Sequence, residues 1–270
     1  MTDGSLIYHY TGLKGLMGIV ETGALWATDI RYLNDTTEST YGRDRIGEHM
    51  ASYLKETPES PFVLNLHWIW ARLEWTLRGF VVCFSAGEER LSQWRGYGRL
   101  GYAIGFDRDR LETIGLDPLR SFTFMDLDYD DDSLKSEVYS VLDQVRDVSV
   151  LLPSGREPDQ THVTPQLSLA ASELMQKMPR FKHHAFHEER EVRALHWQVN
   201  TDQIELRASD MGPTPYISFV VGSDDQSPIR DVIVGPTLHP DEARDGVDDL
   251  LARHKLSHVK ARSSEIPLRW

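Results

Sequence analysis

The hydrophobic pattern changes period several times along the chain. It opens on a short apolar strand, Leu6-Ile7-Tyr8-His9-Tyr10-Thr11, that delivers a histidine and a threonine. Leu13, Leu16, Met17 and Val20 then recur at i, i+3, i+4 and i+7, the period of one helix face. Thr11 is placed to cap that helix, and Gly23 to end it. Trp26 to Tyr32 is extended and runs into Asn34-Asp35-Thr36-Thr37-Glu38, a turn followed by a capped helix start. Tyr41 to Arg78 is helical in character, interrupted by Pro58 and Pro61, and its Trp68, Trp70 and Trp75 read as helix packing. Phe80 to Ser85 is apolar without alternation, as a strand covered on both faces would be.

Leu91 to Tyr97 predicts a loop, and Tyr102, Ile104 and Phe106 alternate with Ala103 and Gly105 in a strand. Phe122 to Met125 is a further short strand. The helix after it shows Leu134, Val138, Val141, Leu142 and Val145 on one face. Leu151 to Thr164, with Pro153, Gly155 and Pro158, predicts a flexible loop. Thr164-Pro165 caps a helix facing the core with Leu167, Ala171, Leu174 and Met178. Strands follow at Ala194–Val199, Tyr216–Val221 and Asp231–Val234, then a helix from about Pro240 to His254 and a last strand at Ser257–Arg262. Strands scattered in this way do not make a regular β-α-β alternation.

Composition narrows the picture. The 270 residues are 40% hydrophobic and can fill a substantial core. No apolar run approaches the roughly 18–20 residues of a membrane span, and no secretory signal is visible, so a cytoplasmic protein is expected. The single cysteine, Cys83, forms no internal disulfide and sits in an apolar strand as a core residue rather than a nucleophile. A net charge of −13 disfavours binding to extended DNA or RNA, which needs Lys and Arg against phosphates.

Several stretches carry candidate chemistry. His9 is either a ligand group at a strand end or a structural histidine closing a strand-to-helix turn. Asn34, Asp35 and Glu38 are either turn and cap residues or a polar lip over the site near His9. Trp94, Arg95 and Tyr97 could stack on a flat ring and pair with a phosphate, or simply anchor a loop. If Glu189 to Arg193 is extended, Glu189, Glu191 and Arg193 share a face, either as an ion-pair ladder or as a carboxylate pair facing substrate. The carboxylates at Asp126, Asp128, Asp130, Asp131 and Asp132 lack the glycine of a calcium loop and read as a solvated run before a helix, so no metal is expected. There is no G-x-G-x-x-G after a strand, no Walker loop, no H-E-x-x-H and no G-x-S-x-G.

Three pieces together carry a resemblance. They are Tyr8-His9-Tyr10-Thr11 with Leu33-Asn34-Asp35-x-x-Glu38; Cys83-Phe84-Ser85 with Trp94 and Tyr97 ahead of Gly101 to Asp107; and Phe186-x-x-Glu189-x-Glu191-x-Arg193, with Ser264 to Arg269 closing the set. The set resembles a widespread bacterial family catalogued as a domain of unknown function, which in turn looks like a distant branch of the H-Y-E ADP-ribosyltransferases. That resemblance implies an α+β fold, a split β-sandwich of ADP-ribosyltransferase type with additional helices, clamping NAD. It implies one domain over 1–270, with a helical insertion at about 41–78 and a flexible loop at about 151–164. His9-Tyr10-Thr11 matches that branch's H-x-T. Phe84 and Ser85 stand where it often carries tyrosine, and Tyr97 or Trp94 would supply the ring. Glu189 and Glu191 match its late glutamates.

The implied roles follow. Glu191, Glu189 and His9 are catalytic; His9, Tyr10, Thr11, Asn34, Asp35, Phe84, Ser85, Trp94, Arg95 and Tyr97 hold NAD; no metal takes part. The implied activity is an NAD-consuming ADP-ribosyltransferase or NAD glycohydrolase acting on an unknown macromolecular acceptor or on water. A toxin or antiphage role is implied by analogy. The alternatives are a decayed nucleotide- or protein-binding module and a carboxylate hydrolase built on Glu189 and Glu191.

Overall fold

The structure is a computed structural model, which describes residues 6–33, 40–57, 60–72, 78–97, 101–117, 121–146, 164–198, 201–222 and 226–266. In chain order the elements are β1 (Leu6–Gly12), α1 (Leu13–Thr22), β2 (Ala24–Asp29), α2 (Tyr41–Glu56), α3 (Pro61–Arg72), β3 (Arg78–Ala86), α4 (Leu91–Tyr97), β4 (Gly101–Asp107) and α5 (Arg108–Gly115). They continue with β5 (Thr123–Asp126), α6 (Asp131–Arg146), α7 (Pro165–Lys177), β6 (Glu191–Gln198), β7 (Glu205–Ser209), β8 (Gly212–Val220), β9 (Ile229–Val234), α8 (Pro240–Arg253) and β10 (Lys260–Ser263).

The chain divides into two compact units, one of Met1–Tyr32, Arg78–Leu127 and Ala185–Trp270, the other of Leu33–Leu77 and Asp128–His184. The helical insertion expected at about 41–78 falls in the second unit, which also takes in α6 and α7. The loop expected at about 151–164 lies outside the described residues except for Thr164.

In the first unit the strands join into one open sheet of ten, ordered β10-β9-β4-β1-β3-β2-β8-β7, with β6 also pairing β3 and carrying β5. The result is a mixed α/β architecture on a large sheet that is antiparallel apart from β9–β10. One face buries Ile7, Phe80, Val82, Phe84, Ile104, Phe106, Val192 and Val232 against Leu16 and Val20 of α1 and Val247 and Leu251 of α8. The opposite face gathers Tyr8, Tyr10, Ala103 and Ile233 around Trp94 of α4.

Three local expectations change. Thr11 stays in β1; the N-cap of α1 is Gly12, with no side-chain cap bond. The strand continues through Gly12, so the Thr11 hydroxyl lies against Gly15, where a Cβ would come within 1.9 Å of it. On α1 the buried residues are Leu16, Ile19 and Val20, while Leu13 and Met17 are exposed. Gly23 does end the helix in the left-handed region, φ 61°, donating to Ile19 O. The expected loop at Leu91–Tyr97 is the short helix α4.

The second unit packs α2, α3, α6 and α7 through Ile46, Met50, Phe62, Leu66, Trp70, Val138, Leu142, Leu167 and Leu174. Trp70 is buried and donates to Arg43 O at 3.1 Å, a packing role like that expected of it; Trp75 lies outside the described residues. Thr164 caps α7 as expected, accepting from Leu167 N, with Pro165 opening the helix. Asp128 accepts from Asp130 N and Ser133 Oγ, Asp130 accepts from Asp132 N, and Asp131 pairs with Arg45, so these acidic side chains serve the start of α6. Among the described residues no helix is long and apolar enough to cross a membrane.

Candidate functional site

Strand register builds the site. Tyr8 of β1 stands opposite Gly105 of β4 and Ser85 of β3; Gly105 stands opposite Asp231 of β9, and Ser85 opposite Glu191 of β6. Residues directly opposite in antiparallel strands project from the same face. Asp231, Tyr8, Ser85 and Glu191 therefore form one polar row on the Trp94 face, drawn from segments that lie far apart in sequence.

Gly105 leaves a bare place in that row, and the Tyr8 ring lies across it. A Cβ at Gly105 would sit 2.9 Å from Tyr8 Cε1 and 3.1 Å from Asp231 Cβ. The Tyr8 hydroxyl donates to Asp231 Oδ2 at 3.3 Å. Arg262 Nε donates to the same oxygen at 3.2 Å, and Arg262 also pairs with Glu88. Burial pushes the Asp231 carboxyl above its ordinary range, against the pull of Arg262 and the Tyr8 hydroxyl. Burial, with the charges of Asp231 and Glu88, likewise raises the Tyr8 phenol.

At the other end of the row Glu191 and Arg193 are buried, 5% and 1% exposed, and Arg193 Nε donates to Glu191 Oε1 at 2.6 Å. Short contacts between a guanidinium and a carboxyl are charge-assisted hydrogen bonds. Glu189 lies outside their strand. It closes a 3-10 turn over His184–Glu189, and Arg190 then adopts a left-handed φ of 44° before β6 begins at Glu191. The extended run expected from Glu189 is thus broken, and the Glu189 carbonyl instead accepts from Ser85 Oγ at 2.7 Å.

His9, one residue after Tyr8, projects from the opposite face, with its ring edge-on to Phe84 at 5.9 Å. One edge of β3 is shared: β1 pairs with Ser85 and Ala86, β2 with Phe80 and Val81. Between those two pairings lies Cys83, and His9 Nδ1–H donates to its carbonyl at 2.9 Å. That bond fixes the tautomer and leaves Nε2 as an acceptor. Burial lowers the His9 pKa below its ordinary 6.5, against the Cys83 bond, which raises it.

The sign of the His9 effect on stability follows. The unfolded chain takes up the proton more readily, so His9 contributes stability that is full above pH 6.5 and is lost as pH falls through its lower folded value. Proton titration of the imidazole by NMR is expected to give a midpoint below 6.5, and His9→Gln to flatten the loss of melting temperature over that window. A midpoint at or above the ordinary value would contradict this placement.

The remaining candidates are dispersed. Tyr10 is buried, and its hydroxyl accepts from Arg90 N at 3.0 Å. Trp94 is buried against Tyr10, 4.9 Å between centroids, instead of lining a loop. Phe84 belongs to the core on the His9 face. Arg95 is exposed, and the side chain of Tyr97 lies outside the described positions, as do Asn34 and Asp35 altogether. Asp231, Arg262 and Glu88 were not among the sequence candidates. Asp231 lies 223 residues from Tyr8, and only its place as an acidic residue heading the apolar run Val232–Val234 hinted at it.

Comparison with known proteins adds one result. Residues 93–194 are similar to a family described as a protein of unknown function, DUF2971. The DUF2971 match takes in Trp94, Arg95, Glu189, Glu191 and Arg193 and leaves out β1 and β3. It agrees with the domain-of-unknown-function family expected from the motifs, and nothing in it points to ADP-ribosyltransferases. No curated protein and no solved structure matches the chain.

Proposed function

We propose that this protein cleaves NAD, as an ADP-ribosyltransferase or NAD glycohydrolase, with Glu191 as the carboxylate beside the ribose. One observation carries this: the three segments with the H-x-T, Phe84-Ser85 and glutamate positions lie on adjacent strands β1, β3 and β6, Ser85 pairing with both Tyr8 and Glu191. The shared edge of β3, where β1 pairs at only two positions before leaving it, supports a split-sandwich relationship.

When the nicotinamide–ribose bond breaks, its electron pair leaves with nicotinamide and positive charge develops on the ribose. An ionised carboxylate there offsets that charge and orients the 2′-hydroxyl, as in glycosidases. Water or a macromolecular acceptor then supplies the oxygen or nitrogen that closes the new bond. A toxin or antiphage role rests on analogy with enzymes of that fold.

A second reading, a nucleotide- or protein-binding module, is favoured by the Glu191–Arg193 pair and by the packing of Trp94, which commit groups that a catalytic site would present.

The test is nicotinamide release from NAD by the purified protein, with melting temperatures for every variant. Release by the parent that falls about a hundred-fold or more in folded Glu191→Gln supports the enzyme. Concurrent loss in His9→Ala would bring His9 into the site; retention would leave it the partner of Cys83 O. NAD binding without release favours the second reading, and neither binding nor release sinks the NAD claim.

A further inference from the structure

The sheet ends at β7, which among the described residues has β8 as its only strand neighbour. Four of its five residues, Glu205, Leu206, Ala208 and Ser209, are exposed, and Leu206 is 65% exposed. An open strand edge is a template for another strand, and proteins normally blunt it with lysines, prolines or a covering segment. β7 itself contains no lysine and no proline.

The register with β8 determines which backbone groups face outward. Leu206 pairs with Pro215 and Ala208 with Pro213. Proline has no N–H to give, so these are the non-hydrogen-bonded pairs, and the bonded ones are Glu205–Tyr216, Arg207–Thr214 and Ser209–Gly212. The N–H and C=O of Leu206 and Ala208 therefore point away from β8, toward the open edge.

We propose that this edge pairs antiparallel with β7 of a second copy about a two-fold axis at Leu206. Self-pairing about Leu206 is isologous, so each contact occurs twice. Leu206 exchanges both backbone bonds with its symmetry mate. Glu205 then stands opposite the other copy's Arg207, in the non-hydrogen-bonded pairs where side chains approach most closely. The strand Glu205-Leu206-Arg207 is thus charge-complementary to itself in this one register. A slip by one residue sets Glu205 against Leu206 or Ala208 and loses both ion pairs. The charges that would repel a mismatched strand select a copy of the same chain.

The test is mass in solution by sedimentation over a wide range of protein concentration. The parent is expected to pass from one chain to two as concentration rises. Arg207→Glu and Glu205→Arg each set like charges together at two symmetric places and are expected to give monomers. The double variant Glu205→Arg/Arg207→Glu restores opposite charges and is expected to restore the dimer; melting temperatures are read for every variant, because Glu205 also accepts from Tyr216 Oη and Ser218 Oγ and Arg207 donates to Thr28 Oγ1 within the same chain. A parent that stays monomeric throughout overturns the proposal. So does a dimer that survives both single reversals, or a double variant that folds and remains monomeric. None of these outcomes depends on NAD cleavage.

Discussion

Arg193→Leu is expected to destabilise the protein by about 3–5 kcal/mol, the cost of leaving one member of a buried ion pair behind. Arg193 is 1% exposed and Glu191 5%, so water cannot replace the lost guanidinium. The Nε–Oε1 bond of 2.6 Å goes with it. The carboxylate left in place would lose its guanidinium, so its pKa would rise relative to the parent, the unfolded value being about 4.3. The sign is then set: the deficit is smallest below that unfolded value and grows as pH rises through the folded one. Urea unfolding of parent and variant at acidic and neutral pH reads this directly. Replacing both partners, Glu191→Leu with Arg193→Leu, is expected to cost less than Arg193→Leu alone, because both members of the pair leave together. A single variant as stable as the parent at neutral pH would contradict the buried pairing. The same physics bears on nicotinamide release, since Glu191→Gln also removes one charge of this buried pair and must be shown to be folded before its activity is interpreted.

Much of the fold was legible because it is local. The apolar run Phe80–Ser85 is a central strand with neighbours on both edges, and the alternation at Tyr102–Phe106 is a strand buried on both faces. Thr164-Pro165 capped its helix because the cap needs only its own first turn. Helix faces were less exact. Periodicity put Leu13 and Met17 on the inner side of α1, but the sheet sits against Leu16, Ile19 and Val20, and nothing within the helix sequence chooses between those stripes. Glu189 shows the limit of alternation: a single left-handed residue, Arg190, separates it from the strand that orients Glu191.

The site was legible only in part, for a physical reason. Glu191 and Arg193 are two apart on one strand, so their shared face could be read from period alone. The Tyr8–Asp231–Arg262 group depends on register across β1, β4, β9 and β10 and on the missing side chain at Gly105. In the sequence Gly105 is one of the small residues alternating with Tyr102, Ile104 and Phe106; in the sheet it is the space that the Tyr8 ring occupies. Long-range register of this kind has no signature in a window of sequence.

Trp94→Ala is expected to cost about 3–5 kcal/mol, the range for removing a large aromatic from a packed core. The ring is 1% exposed and meets Tyr10 edge-on, 76° between planes. It also rests on bare backbone at Gly235, where an added Cβ would lie 2.8 Å from Trp94 Cζ3 and 2.6 Å from Gly101 O. The gap left by alanine lies over β4 and β9, which pair without a break from Tyr102–Val234 to Gly105–Asp231. Trp94→Phe should behave differently. It also surrenders ring area, which destabilises, but it removes an indole Nε1 that is buried with no hydrogen-bond partner among the described residues. An unpaired buried donor costs about 1–3 kcal/mol, so the two changes offset one another to a large extent. Guanidinium unfolding should therefore place Trp94→Phe close to the parent and Trp94→Ala far below it. Equal losses in the two variants would mean that the indole nitrogen does have a partner. No loss in Trp94→Ala would mean that the ring is not part of the core but stands free, as the sequence had suggested for a ring that stacks on nicotinamide.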